Sequence, residues 1–222
     1  AAQQSSDVQD PPQDQLQTMI NLYTKGHYKE ALNQASKLLI EFPNSVIIYN
    51  IIGAANQGLD KLDEAIEAYK RALLIRPDDA MTYYNLGKGL KDHDKLDEAI
   101  EAFKKALTIK MDFPEAYYSM GIALQSHGKL DEAIEAYNKA ISFKPDYADA
   151  YSNMGIALQS HGKLDEAIEA FKKALAIKPE YAEAYNNMGN TFRDQSRFDE
   201  AIEAFKKALA IKPEYAEAYN NM

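Results

Sequence analysis

Apolar, small and polar positions recur along the chain with a period of 34 residues, and one punctuating slot makes the register plain. Pro43, Pro77, Pro145, Pro179 and Pro213 fall at position 32 of successive units, with Met111 in the one remaining slot. The repeats run 12–45, 46–79, 80–113, 114–147, 148–181 and 182–215, and residues 216–222 open a seventh. Within a repeat, positions 4, 7, 8 and 11 carry an aromatic, an aliphatic or Met, a Gly and an apolar residue, as in Tyr117, Met120, Gly121 and Leu124 or Tyr151, Met154, Gly155 and Leu158. That i, i+3, i+4, i+7 spacing is one face of a helix. Positions 20, 24 and 27 repeat as Ala, aromatic, Ala, in Ala99, Phe103 and Ala106 and again in Ala167, Phe171 and Ala174. The pattern therefore predicts two amphipathic helices per repeat, and residues 1–11 (AAQQSSDVQDP) read as a disordered leader.

The glycines at position 8 (Gly53, Gly87, Gly121, Gly155, Gly189) lie inside the first helix, where glycine costs up to about 1 kcal/mol relative to alanine. Close approach by the second helix is the expected reason. The small alanines at positions 20 and 27 are expected to answer the glycine, with the bulky residues at 4 and 24 filling the space around the contact. A Gly121→Leu substitution should then overpack the hairpin by roughly 1 to 3 kcal/mol.

The period, together with the residues at 4, 7, 8, 11, 20, 24, 27 and 32, resembles the tetratricopeptide repeat (TPR). The resemblance implies an all-α fold, a right-handed α-solenoid superhelix of stacked helix-turn-helix hairpins. Its first helices would line a concave groove that binds protein segments. The chain looks similar to bacterial TPR arrays that precede glycosyltransferase or sulfotransferase domains. Gln15 departs from the family's aromatic, and Asp60, Asp94 and Ser196 replace the turn glycine at position 15. Asp tolerates the left-handed conformation passably, so the turn is expected to persist.

Composition fits a helical array. The 34 acidic and 25 basic residues give a net charge of −9, and the absence of cysteine excludes disulfides and thiolate metal sites. No apolar run is long enough to span a bilayer, and the amino terminus lacks the pattern of a signal peptide, so the default expectation is a cytoplasmic protein without a membrane partner. Residues 165–188 recur letter for letter at 199–222, yet only the first copy continues into a full hairpin. An array of this kind is expected to end in a polar capping unit, which leaves two further readings beside a non-catalytic scaffold. One is the substrate-recognition arm of a larger enzyme whose catalytic domain follows, and the other a homo-oligomer formed by end-to-end stacking.

On the second helices, acids at the start and lysines near the end complement the macrodipole. The i, i+4 pairs Glu67 with Arg71, Glu101 with Lys105 and Glu169 with Lys173 mark a solvated outer face. Function is then expected on the first helices. In the family the groove is lined by positions 2, 5, 6, 9, 12 and 13, which vary here while the packing positions do not. Position 6 reads Asn85, Ser119, Asn153, Asn187 and Asn221, with Ile51 in repeat two. Amides carry both donors and an acceptor, so such a column can grip the backbone of an extended peptide. It resembles the asparagine ladder of O-linked N-acetylglucosamine transferases; the alternative is that each Asn satisfies a neighbouring loop. Replacing Asn153 and Asn187 by Ala should weaken a bound peptide with little change in melting temperature. Around the column the expected groove residues are Tyr84, Lys88, Lys91, Tyr118, Gln125, Ser152, Gln159, Asn186, Asn190 and Arg193. Its charges are mixed: Lys88, Lys91 and Arg193 stand against Asp92, Glu115, Asp149, Glu183 and Asp194. Without a basic stripe, nucleic acid is not an expected partner; a protein or peptide is.

The family's clamp for chaperone carboxy termini needs Lys or Arg at position 5, which no repeat has. His93, His127 and His161 share position 14, but equivalent residues of stacked hairpins lie on the order of 10 Å apart, too far to share a metal. They are expected at the surface near the turn, and isolated His27 has no assigned role. The paired carboxylates lie in water, where nothing raises a pKa for acid catalysis, and Gly87, Lys88 and Gly89 sit mid-helix, not in a phosphate loop. No catalytic residue, metal or cofactor is expected.

Overall fold

The computed structural model describes residues 10–222, so most of the leader expected at residues 1–11 lies outside the described residues. The chain divides into two compact units, Ala1–Met111 and Asp112–Met222. In the first unit the helices are α1 (Gln13–Thr24), α2 (Tyr28–Glu41), α3 (Val46–Gly58), α4 (Leu62–Ile75), α5 (Ala80–Asp92) and α6 (Leu96–Ile109). The second holds α7 (Pro114–Ser126), α8 (Leu130–Phe143), α9 (Ala148–Ser160), α10 (Leu164–Ile177), α11 (Ala182–Asp194), α12 (Phe198–Ile211) and the short α13 (Ala216–Asn221). Among the described residues all regular structure is helical. Odd-numbered helices pair with the next even one as hairpins. Within each unit the hairpins stack so that α2 packs on α3, α4 on α5, α8 on α9 and α10 on α11.

The core of hairpins two to six is the contact the glycines foretold, made by a different partner; hairpin one reverses the sizes, with Met19 at position 8 and Ala35 at position 24, both fully buried. A Cβ added at Gly155 would lie 2.7 Å from the Phe171 ring, and one at Gly53 would lie within 2.4 Å of Tyr69. The position-24 ring, rather than the flanking alanines, presses against the glycine with its Cδ1, Cε1 and Cζ atoms. Phe103, Phe171 and Tyr137 are fully buried, and so are the alanines at 20 and 27 that wall the ring in, such as Ala99, Ala106, Ala167 and Ala174. Glycine is required because a side chain there would displace a ring packed on every side.

Hairpin turns close in the left-handed conformation at position 15, with Gly128 at φ 78° and Gly162 at φ 80°, but also Asp60 at 59°, Asp94 at 58° and Ser196 at 60°. The expected tolerance for Asp holds. In repeat four the amides of Lys129 and Gly128 bond back to the carbonyls of Leu124 and Gln125 at 2.9 and 3.0 Å. This pairing satisfies two carbonyls that the helix end leaves open.

The two units start their first helices by different means. Ser45 and Asp79 in the first unit are side-chain caps: Ile48 N donates to the Ser45 hydroxyl at 3.3 Å and Thr82 N to the Asp79 carboxylate at 2.8 Å. Ser45 in turn donates to Asp10 at 2.6 Å, so the end of the expected leader is tied to the residue that caps α3. In the second unit the same slot holds Phe113, Tyr147, Tyr181 and Tyr215, none of which makes a side-chain cap bond. Lysines three residues earlier stack on the tyrosines instead: Lys144 lies 4.5 Å from the Tyr147 ring centre, Lys178 4.1 Å from Tyr181 and Lys212 4.7 Å from Tyr215.

Candidate binding face on the first helices

Positions 2, 5, 6, 9, 12 and 13 fall on one side of a helix with 3.6 residues per turn, away from the packed stripe at 4, 7, 8 and 11. On that side the position-6 amides reach across to position 5 of the preceding repeat. In the first unit Asn85 Nδ2 donates to Asn50 Oδ1 at 3.2 Å, and Asn50 Nδ2 donates to Thr82 Oγ1 at 2.6 Å. In the second, Asn153 Nδ2 donates to the Tyr118 hydroxyl at 2.9 Å and Asn221 Nδ2 to Asn186 Oδ1 at 3.1 Å. The bonds thus run to the neighbouring first helix and not to a loop. Asn85 and Asn153 each spend one donor of the amide and leave their own carbonyl oxygen as an acceptor, whereas the Asn221 oxygen accepts from Arg193 at 3.5 Å. Asn187 is half-exposed and makes no side-chain hydrogen bond among the described residues.

A second row lies at positions 12 and 13. Gln57 donates to Asp92 of the next repeat, and Gln159 Nε2 does the same to Asp194 Oδ2 at 2.7 Å. Where the core ring is tyrosine, its hydroxyl emerges here and bonds the glutamine: Tyr137 donates to Gln125 Oε1 at 2.8 Å and Tyr69 to Gln57 at 3.3 Å. Burial pushes both phenols far above the usual tyrosine range, with neighbouring tyrosines adding to the shift. Lys91 pairs with Asp92 at 2.7 Å, Lys88 lies 5.7 Å from the Tyr84 ring centre, and Arg193 reaches Asn221 at 3.5 Å.

Not every expected groove residue is reachable. Ser119, Ser152 and Asn186 are buried, Asn186 with Asn221 of the following repeat bonded to its oxygen. They shape the face without presenting themselves to a guest. Asn190 is half-exposed, yet its Oδ1 is shut away from solvent and has no hydrogen-bond partner among the described residues.

Tyr147 and Tyr181, absent from the expected set, belong to this face. Tyr147 sits 4.9 Å from Tyr118, ring centre to ring centre, and the Tyr181 hydroxyl lies beside Asp149 and Ser152 on the preceding first helix. Burial first, and then the Asp149 carboxylate, push the Tyr181 phenol up to about 12. The recurring Lys-Pro-acid-Tyr segment at 144–147, 178–181 and 212–215 was the available signal. One tyrosine per repeat, in a slot where the first unit keeps a cap, marks a position under packing constraint.

Position 14 serves the stack. His93 Nε2 lies 2.9 Å from Asp63 Oδ1 of the preceding repeat and His161 Nε2 3.3 Å from Asp131, while Gln195 Nε2 donates to Asp165 at 2.7 Å. The hydrogen bond and charge of His93 hold the Asp63 carboxyl below the usual range. No group of three His, Cys, Asp or Glu side chains able to hold a metal occurs among the described residues, and no described helix is long and apolar enough to cross a membrane.

Family models for the tetratricopeptide repeat match residues 44–112, 125–162, 160–192 and 182–215. No curated protein sequence matches the chain. Among solved structures, MamA is 36% identical with a TM-score of 0.70 over 75% of this chain and 97% of its own. YrrB, described as a TPR protein with an unusual peptide-binding site, is 25% identical with a TM-score of 0.69 over 84% of this chain and 96% of its own. PilW, a type IV pilus biogenesis factor, shares the fold at 21% identity, with a TM-score of 0.84 over 99% of both chains. With its repeats, its stacked hairpins and these matches, the chain belongs to the tetratricopeptide-repeat family of protein-interaction scaffolds.

Proposed function

We propose that the chain binds extended segments of partner polypeptides on the exposed side of its first helices, without catalysis of its own. The observation that carries this reading is a hollow of about 350 Å³ in the second unit, lined by Ile122, Gln125, Ser126, Tyr137 and Asn153. It offers an apolar surface for a side chain beside two amides. Gln125 spends its oxygen on Tyr137 and keeps both donors, while Asn153 spends one donor on Tyr118 and keeps its oxygen. A donor and an acceptor side by side match the alternating N–H and C=O of an extended backbone. Likeness to YrrB, whose description includes a peptide-binding site, supports the same reading.

Peptides selected from a random-sequence display library against the intact chain provide the test. Asn153→Ala combined with Gln125→Ala should weaken a selected peptide by about tenfold, the loss of one or two hydrogen bonds. Unchanged affinity in the folded double variant, for every selected peptide, overturns the assignment.

A further inference from the structure

The opposite side of the hairpins carries a second repeated feature. In repeats two, three and five, positions 7 and 11 of the first helix lie beneath a notch walled by the second helix. In repeat two this notch is a hollow of about 480 Å³ floored by Ile52 and Ala68, and in repeat three one of about 340 Å³ floored by Leu86, Leu90 and Ala102. Repeat five repeats it at about 360 Å³ over Met154 and Leu158. All three share one register, and in each of them three carboxylates on the rim outnumber the cations there, Arg71 in repeat two, Lys70 and Lys105 in repeat three and Lys173 in repeat five.

The rim is uneven in a way that selects a guest. At position 22, Glu67 is paired with Arg71 at 3.1 Å and Glu101 with Lys104 at 3.0 Å. At position 19, Glu64, Glu98 and Glu166 line the same hollows and have no ion-pair partner among the described residues. An apolar floor beside an unpaired carboxylate, repeated along the array, complements an apolar side chain next to a cation. We infer that these hollows dock a basic amphipathic segment of a partner protein, one apolar side chain per hollow with Lys or Arg beside Glu64, Glu98 and Glu166. Adjacent packed helices lie about 8 to 10 Å apart, and seven residues of helix rise about 10.5 Å, so a guest helix crossing repeats two and three meets successive hollows with every seventh residue.

The test uses the intact chain and a labelled helical peptide with Leu at every seventh position and Lys beside it, against a scrambled peptide of equal composition and an analogue with Glu for Lys. The ordered basic peptide should bind at least about tenfold tighter than the scrambled one, and the Glu analogue should not bind. Ala68→Gln with Ala102→Gln fills two hollows without changing net charge and should erase that preference while leaving groove-selected peptides unaffected. Should that variant unfold, Glu64→Lys with Glu98→Lys must weaken the ordered peptide more than Glu180→Lys with Glu214→Lys, which makes the same charge change outside the hollows. Equal binding of ordered and scrambled peptides, or equal loss from both charge-reversed pairs, reduces the effect to net charge and overturns the inference.

Discussion

The first unit opens α3 and α5 with hydrogen-bonding caps, Ser45 and Asp79, and the second opens α9, α11 and α13 with tyrosines that lysines cover. Both solve the same problem, since the first turn of a helix leaves amides unpaired and the entering chain must be held at a fixed angle. A cap satisfies a donor directly. Where a tyrosine stands instead, the corresponding amide turns to that residue's backbone carbonyl, Ala150 N to Tyr147 O at 3.0 Å and Ala218 N to Tyr215 O at 3.1 Å, and the buried ring fixes the entry while paving the exposed side of the preceding first helix. The neighbouring position 2 differs in step, being Ile47 and Met81 in the first unit but Glu115, Asp149, Glu183 and Glu217 in the second. One repeat signature thus carries two surfaces, and the second is the richer in aromatic and acidic groups.

Removing the ring common to both units should have the largest effect. Phe171→Ala and Tyr69→Ala should each cost about 3 to 5 kcal/mol in chemical denaturation, because each empties a fully enclosed site beside a glycine. A large difference between the two would show that the hairpin cores are not equivalent. Next comes the contrast itself. Tyr181→Ala should cost about 1.5 to 3 kcal/mol through lost burial, and Asp79→Ala about 1 kcal/mol through a lost cap. Tyr181→Asp distinguishes the mechanisms: if a cap alone suffices in the second unit, the variant keeps its stability, whereas the packing account expects most of the loss to remain.

Alkali should separate the same features. Burial raises the Tyr181 phenol from 10 to about 12, so between those values the folded chain holds a proton that the unfolded chain has released. Stability from this group is whole below pH 10 and is lost as pH rises toward 12. Thermal melts of Tyr181→Phe should therefore decline less steeply over that window than those of the parent. The smallest effect belongs to the inter-repeat seam. His93→Gln should leave stability unchanged, since Gln195 makes the equivalent bond naturally, while His93→Ala should return the Asp63 carboxyl to its ordinary range in an NMR titration.

Much of this was legible in the sequence. The 34-residue period fixes two helices per repeat, and Gly121 announces a close hairpin, although its partner was expected to be the alanines and is the position-24 ring. Turn residues Asp60 and Asp94 were readable from their tolerance of positive φ. Less could be read from position 6. Whether Asn153 faces a guest or a neighbour depends on a residue 35 positions away, Tyr118, and spacing within one helix says nothing of it. Asn153→Ala should accordingly lower stability by about 1 kcal/mol, against the unchanged melting temperature expected from sequence. The tyrosines at 147 and 181 were overlooked because they stand between helices, outside any amphipathic pattern, and only stacking of consecutive hairpins brings them to the first-helix face. Likewise position 14 looked like idle surface until the preceding repeat supplied Asp63.

The most direct measurement is an NMR titration of the intact chain with a library-selected peptide, following side-chain amides and tyrosine rings. Binding on the first helices predicts that Gln125, Asn153, Tyr118 and Asn187 shift together while the second-helix residues Glu135, Lys139 and Glu169 stay still. Shifts confined to the second helices, with Gln125 and Asn153 unmoved, would contradict the account.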